Sequence, residues 1–158
     1  MKKLKLYLET SVWNFLFADD APDKKASTEK FFEEVTDGKY EIFISDTVRA
    51  EFMAASDAKR KLLFDIVKRH APVMLEADEE VRSLADIYVS QGVLSPKHFR
   101  DLLHLAYSSV HGMKALISWN QKHIVKMRTY DLVNAINRIQ GYHEIQIRTP
   151  QEVIEIED

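Results

Sequence analysis

The stretch Leu4-Lys5-Leu6-Tyr7-Leu8-Glu9-Thr10-Ser11-Val12-Trp13 decides the fold. Leu4, Leu6 and Leu8 alternate with Lys3, Lys5 and Tyr7, the period of two that sends successive side chains to opposite faces of a strand. Directly behind them, Thr10-Ser11 supplies hydroxyls suited to capping a helix that carries Val12, Trp13, Phe15 and Leu16. A strand that passes into a helix through a polar, acidic junction begins a βα unit.

The rest of the chain repeats that alternation. Ala21-Pro22-Asp23 reads as a break, and Ala26, Phe31, Phe32 and Val35 predict a helix from about Lys24 that stops near Asp37-Gly38. Tyr40 to Ser45 reads as a strand around Ile42, Phe43 and Ile44, and Ser45 or Asp46 can cap the helix that follows. A further helix ends before Pro72, Val73-Met74-Leu75 forms a short strand, and Asp78 caps a helix stopped by Gly92. Ser95-Pro96 signals a helix start, and that helix runs to about Val110. Ala115 to Ser118 is the next strand. A helix from Tyr130 to Gln140 ends at Gly141, Ile145 and Ile147 alternate as a last strand, and Pro150 opens a closing helix or turn. Short strands alternating with helices imply an α/β fold, a three-layer α/β/α sandwich around a mostly parallel sheet.

Composition sets the bounds. The 158 residues suit one domain spanning 1–158, and 46% hydrophobic residues supply a sizeable core. With only 4 Gly and 4 Pro, no linker interrupts the pattern. No apolar run nears the ~20 residues that span a bilayer, and the start resembles no signal peptide, so no membrane is expected. The absence of cysteine removes disulfides, thiolate catalysis and cysteine-ligated zinc, and fits a cytoplasmic location. The net charge of −3 gives nucleic acid no bulk attraction. Any such binding must use a local basic face or a bound cation.

Function in a parallel α/β sheet collects at the carboxyl ends of the strands. Glu9 lies just past the first strand and Asn120 just past the Ala115–Ser118 strand. Glu51 stands on the helix that leaves the second strand, and Asp101 stands early in an otherwise apolar helix. Each acid has an ordinary explanation: a charge at a helix start for Glu9, a surface pair with Arg49 or Lys59 for Glu51, and a pair with Lys97 or Arg100 for Asp101. Their consistent placement at strand ends and adjoining helices points instead to a shared cation. Carboxylates beside apolar surface need compensation, and Mg²⁺ or Mn²⁺ prefers several oxygen ligands. No histidine spacing such as H-E-x-x-H supports zinc, and neither G-x-x-x-x-G-K-[ST] nor G-x-G-x-x-G occurs. An aspartyl phosphohydrolase is disfavoured because the first strand ends in Glu9 without a paired Asp-x-Asp.

Taken in order, Leu6 to Trp13, Ser45 to Phe52, Arg100 to Ala106 and Leu116 to Ile124 resemble the four motifs of the PIN domain, and in particular those of VapC-like toxin nucleases. The resemblance covers nearly the whole chain in order and spacing. It implies a metal-dependent endoribonuclease in which Glu9, Glu51 and Asp101 hold Mg²⁺ or Mn²⁺ and Asn120 assists through an outer-shell water. It also implies an RNA substrate, a homodimer and a small antitoxin partner. Two departures stand out: Glu9 replaces the usual aspartate, and Asn120 replaces a frequent one and brings no charge. Both bear on metal affinity, and they leave a catalytically weak module that binds RNA or a protein as the alternative.

Thr10, Ser11 and Ser118 are candidates for hydrogen bonds to a ligand carboxylate or to substrate phosphate, or for simple capping. Trp13 and Trp119 flank the site in sequence and offer stacking surfaces or core packing. Lys122, His123, Lys126 and Arg128 form a basic cluster that either contacts an RNA backbone or is plain solvated surface.

Overall fold

Leu6, Tyr7 and Leu8 are all buried, so both faces of the first strand are covered, as in the centre of a parallel sheet. The computed structural model describes residues 2–156. Five strands, β1 (Leu4–Leu8), β2 (Tyr40–Ser45), β3 (Val73–Leu75), β4 (Ala115–Ile117) and β5 (Gln146–Arg148), stand in the order β3-β2-β1-β4-β5. Every neighbouring pair is parallel, with Leu6 opposite Ile42 on one side and Ala115 on the other.

The helices among the described residues are α1 (Thr10–Asn14), α2 (Pro22–Thr36), α3 (Asp46–Met53), α4 (Asp57–His70), α5 (Glu79–Ser90), α6 (Phe99–Val110), α7 (Met127–Gln140) and α8 (Pro150–Ile156). They cover both faces of the sheet and make the three-layer sandwich. Tyr7 points toward α6, where its ring stacks on Tyr107 with centroids 6.1 Å apart. In the other layer α2 packs on α8 and on β2. The α5–α6–α7 layer is tied by a buried polar knot: Tyr88 Oη donates to Asn137 Oδ1 at 2.6 Å, and Asn137 Nδ2 donates to Ser109 Oγ at 2.8 Å. Each buried polar atom in it meets a partner, which keeps its desolvation from destabilising the layer.

Four helix starts differ from their sequence expectation, α2 among them: it opens at Pro22, inside the stretch read as a break, with the proline in its first turn. The cap of α1 is Glu9, whose side chain accepts from Ser11 N, while Thr10 and Ser11 lie inside the helix. Pro96 opens a 3₁₀ turn, Pro96–His98; the non-helical backbone of His98 (φ −103°, ψ 29°) delays α6 until Phe99. The expected helix at Tyr130 begins earlier, at Met127, directly after the extended Lys126. No helix among the described residues is long and apolar enough to cross a membrane.

Successive strands run outward from β1 through β2 to β3, and then on the other side through β4 to β5. The reversal opens a crevice beyond the carboxyl ends of β1 and β4, the customary ligand position in such sheets. Glu9 and Ser118 stand at its two lips.

Candidate metal centre

The sheet itself fixes the base of this crevice. Glu9 N donates to Ile117 O and Ser118 N donates to Arg148 O, each at 3.0 Å, so the ladder continues one residue past β1 and β4. Glu9 is 5% exposed. Its Oε1 accepts from Ser118 Oγ at 2.6 Å, Ser11 Oγ at 2.5 Å and Ser11 N at 3.2 Å. Those hydroxyls are fixed in turn, since Trp119 N donates to Ser11 Oγ at 2.8 Å and Asn120 N to Ser118 Oγ at 2.9 Å.

Glu51 arrives from α3, whose start is set by Ser45 accepting from Val48 N. Its Oε1 accepts from Thr10 Oγ1 at 2.7 Å and meets His104 Nε2 at 2.6 Å. An ionised carboxylate only accepts, so Nε2 carries a proton and donates. On the other side of the ring, Nδ1 lies 2.6 Å from Tyr7 Oη, which lies 2.7 Å from Ser45 Oγ. Burial pushes Glu51 up, but the His104 hydrogen bond and charge, with the Thr10 hydroxyl, outweigh it and hold the carboxyl below its ordinary value. The converse holds for His104. Its complete burial disfavours the imidazolium, yet the Glu51 hydrogen bond and the charges of Glu9, Glu51 and Asp101 raise its pKa.

Glu9, Glu51 and His104 offer ligand atoms within 4.8 Å of one another. A nitrogen that donates a proton has no lone pair for a cation, so His104 orients Glu51 in this arrangement and is not itself a ligand. No hydrogen bond among the described residues reaches Oε2 of Glu9 or of Glu51. Each glutamate thus has one oxygen saturated by protein donors and the other open. Asp101 stands beside this group, one helical turn before His104 on the same face of α6. Burial holds its carboxyl above the ordinary value; the nearby His104 charge opposes that, Glu51 reinforces it, and His98 and an Asn120 hydrogen bond oppose it again. The open oxygens of Glu9 and Glu51 suit a hard divalent cation, while Asp101 lies beside them and outside the group whose ligand atoms fall within 4.8 Å of one another.

The structure therefore brings Glu9, Glu51, Asp101 and Asn120 to one end of the sheet. Thr10, Ser11 and Ser118 give their hydroxyls to the two glutamates. Glu51 pairs with His104 in place of Arg49 or Lys59, and Asp101 faces His98 at 3.9 Å in place of Lys97 or Arg100. Both tryptophans are core residues: Trp13 packs on Phe32, and Trp119 Nε1 donates to Thr28 Oγ1 at 2.8 Å. Arg128 leaves the basic cluster, its guanidinium spanning Val93 O and Gly92 O at 2.8 Å each. Sequence reading missed His104 and Tyr7. The available signal was one histidine inside the apolar run Leu102-Leu103-His104-Leu105-Ala106, and one tyrosine hydroxyl between two leucines of a central strand.

Neither a family model nor a curated protein matches the chain. Among solved structures it is similar to a chain of VapBC2 from Rickettsia felis, crystallised bound to a DNA fragment from their promoter. The likeness has a TM-score of 0.60 at 14% identity and covers 92% of this chain and 98% of that one. At that identity the likeness establishes a shared fold.

Proposed function

We propose that this chain is a metal-dependent endoribonuclease of the PIN type, acting as one domain in the cytoplasm and paired with an antitoxin. The observation that carries the reading is the division of labour within each glutamate: Oε1 saturated by protein donors, Oε2 left open at the mouth of the sheet crevice. Glu9, Glu51 and Asp101 would hold Mg²⁺ or Mn²⁺. Such a cation supplies Lewis acidity, making water more acidic and neutralising charge on a phosphodiester.

The chain's own groups do the positioning. His104 and Thr10 fix the rotamer of Glu51, and Ser11 and Ser118 fix that of Glu9, so neither carboxylate has to reorganise when charge develops nearby. Asn120 accepts from His123 N at 3.0 Å and favours the charged form of the Asp101 carboxyl without adding charge. Burial raises the Asp101 carboxyl above its ordinary value, and a bound cation would favour its charged form. The fold shared with a VapBC2 chain supports the toxin–antitoxin part of the reading; the RNA substrate and the homodimer rest on the motif resemblance. A metal-weak binding module is the second reading, favoured by the single observation that Asn120 contributes no charge to the centre.

Cleavage of single-stranded RNA by purified protein, with Mn²⁺ or with chelator and beside Asp101→Asn, tests the proposal. Cleavage that needs both metal and Asp101 is the expected outcome. A folded wild-type protein that binds RNA and never cuts it would move the chain to the second reading.

A further inference from the structure

The 3₁₀ turn before α6 and the segment after β4 meet at the rim of the acidic centre. His98 and His123 are in ring contact there, with centroids 3.9 Å apart. His98 faces Asp101, and His123 N is anchored on Asn120, so this rim is continuous with the carboxylates. Lys97, Lys122 and Lys126 are exposed around the two rings. Among the described residues none of the three lysines pairs with a carboxylate, although the chain as a whole carries −3. Local positive charge therefore gathers beside a negative centre, on a protein whose bulk field repels anions.

We infer that Lys97, His98, Lys122, His123 and Lys126 form a phosphate-binding ledge that receives the sugar–phosphate backbone of single-stranded RNA on the Asp101 side of the cleft. The inference deepens the nuclease reading and rests on it. Slight burial and then the charges of His98, Lys122, Lys126 and Lys97 hold the His123 imidazole below its ordinary value, so the positive charges converge on one point of the rim. A polyanion laid there relieves their mutual repulsion and releases its own counterions. The arrangement suits a strand better than an isolated phosphate. The lysines come from two separate segments and surround the rings on the surface.

Binding is measured in chelator, where cleavage is silent, by fluorescence anisotropy of a short labelled single-stranded RNA across a salt series. The variants are a triple Lys97→Ala, Lys122→Ala, Lys126→Ala; the same three changed to Arg; and a control triple, Lys30→Ala, Lys61→Ala, Lys68→Ala, on other exposed surface. The alanine ledge triple is expected to weaken binding about tenfold or more and to lower the log–log salt slope by about 2, near 0.7 for each phosphate that is no longer neutralised. The arginine triple and the control triple keep wild-type affinity. Unchanged binding by the ledge triple, an equal loss in the control triple, or competition by a nucleoside monophosphate as strong as that of the strand would each overturn the ledge. Because no metal is present, these outcomes are separate from success or failure of the cleavage test.

Discussion

His104 Nε2 lies 2.6 Å from Glu51 Oε1 while the opposite nitrogen of the same ring lies 2.6 Å from Tyr7 Oη, and the ring is completely buried. A side chain on α6 thereby locks a carboxylate on α3 to a hydroxyl on β1. His104→Ala removes both partners at once and leaves Tyr7 and Glu51 each short of a hydrogen-bond partner. The expected loss is about 2–4 kcal/mol in chemical denaturation, the range for breaking a buried charge-assisted bond. Mn²⁺ affinity should fall by roughly 10–100-fold, as for other partners of ligand carboxylates. Pulsed EPR of Mn²⁺ bound to the wild-type protein should show no directly coordinated nitrogen. A strong nitrogen coupling would make His104 a ligand and refute its role as an orienting group.

Asp101→Asn removes a carboxyl whose charged form burial disfavours, together with its repulsion toward Glu51. Without metal the variant should therefore be as stable as wild type, or more stable by up to about 1 kcal/mol. With Mn²⁺ at ~100 times its dissociation constant the wild type gains about 2.7 kcal/mol and the variant gains little. Melting curves with and without metal read both effects. An equal metal-induced shift in the two proteins would remove Asp101 from the cation site.

Ala71 ends α4 in the left-handed region, with φ 47° and ψ 56°. A Cβ there meets the carbonyl oxygen beside it, a conformation that costs about 1–2 kcal/mol for a residue other than glycine. Ala71→Gly relieves it, partly offset by the greater freedom of glycine in the unfolded chain. The net expectation is about 0.5–1 kcal/mol of added stability, or a melting temperature higher by roughly 2 °C for a chain of this size. A lower melting temperature would contradict it.

Tyr7 and Tyr88 are buried phenols, and desolvation raises both above the ordinary value of 10.0. The unfolded chain releases those protons near the ordinary value while the folded chain holds them. Their contribution to stability is therefore complete below that pH and drains away as pH climbs toward the raised folded values. Phenolate absorbance from these two groups should appear together with the loss of far-UV circular dichroism. Tyr88→Phe separates its share. Titration of both at the ordinary value with the helices intact would show that they are not buried as described.

The strands were legible because their signal is local. The alternation around Tyr7 and the apolar core of Ile42-Phe43-Ile44 need no knowledge of distant residues. Helix starts were legible where a serine or aspartate caps, as at Ser45 and Asp78, and drifted where a glutamate does, as at Glu9, or where the backbone alone sets the boundary, as at His98 and Lys126. In the acidic centre, Glu9 and Asn120 could be placed by the rule that strand ends carry function. The partner of Glu51 could not, because His104 lies 53 positions away and meets it only after α3 and α6 dock. Arg49 and Lys59 were the nearer candidates in sequence, and proximity in sequence was the wrong guide.

Ser118 fastens the Glu9 carboxylate across 109 positions of chain. During synthesis Glu9 leaves the ribosome early, yet its carboxylate has no set direction until β4 has followed and lain down against β1. His104 must also have emerged before Glu51 is locked. A nascent chain therefore spends most of its translation with the acidic centre in pieces, and an enzyme of the kind proposed would be harmless to the message it is being read from.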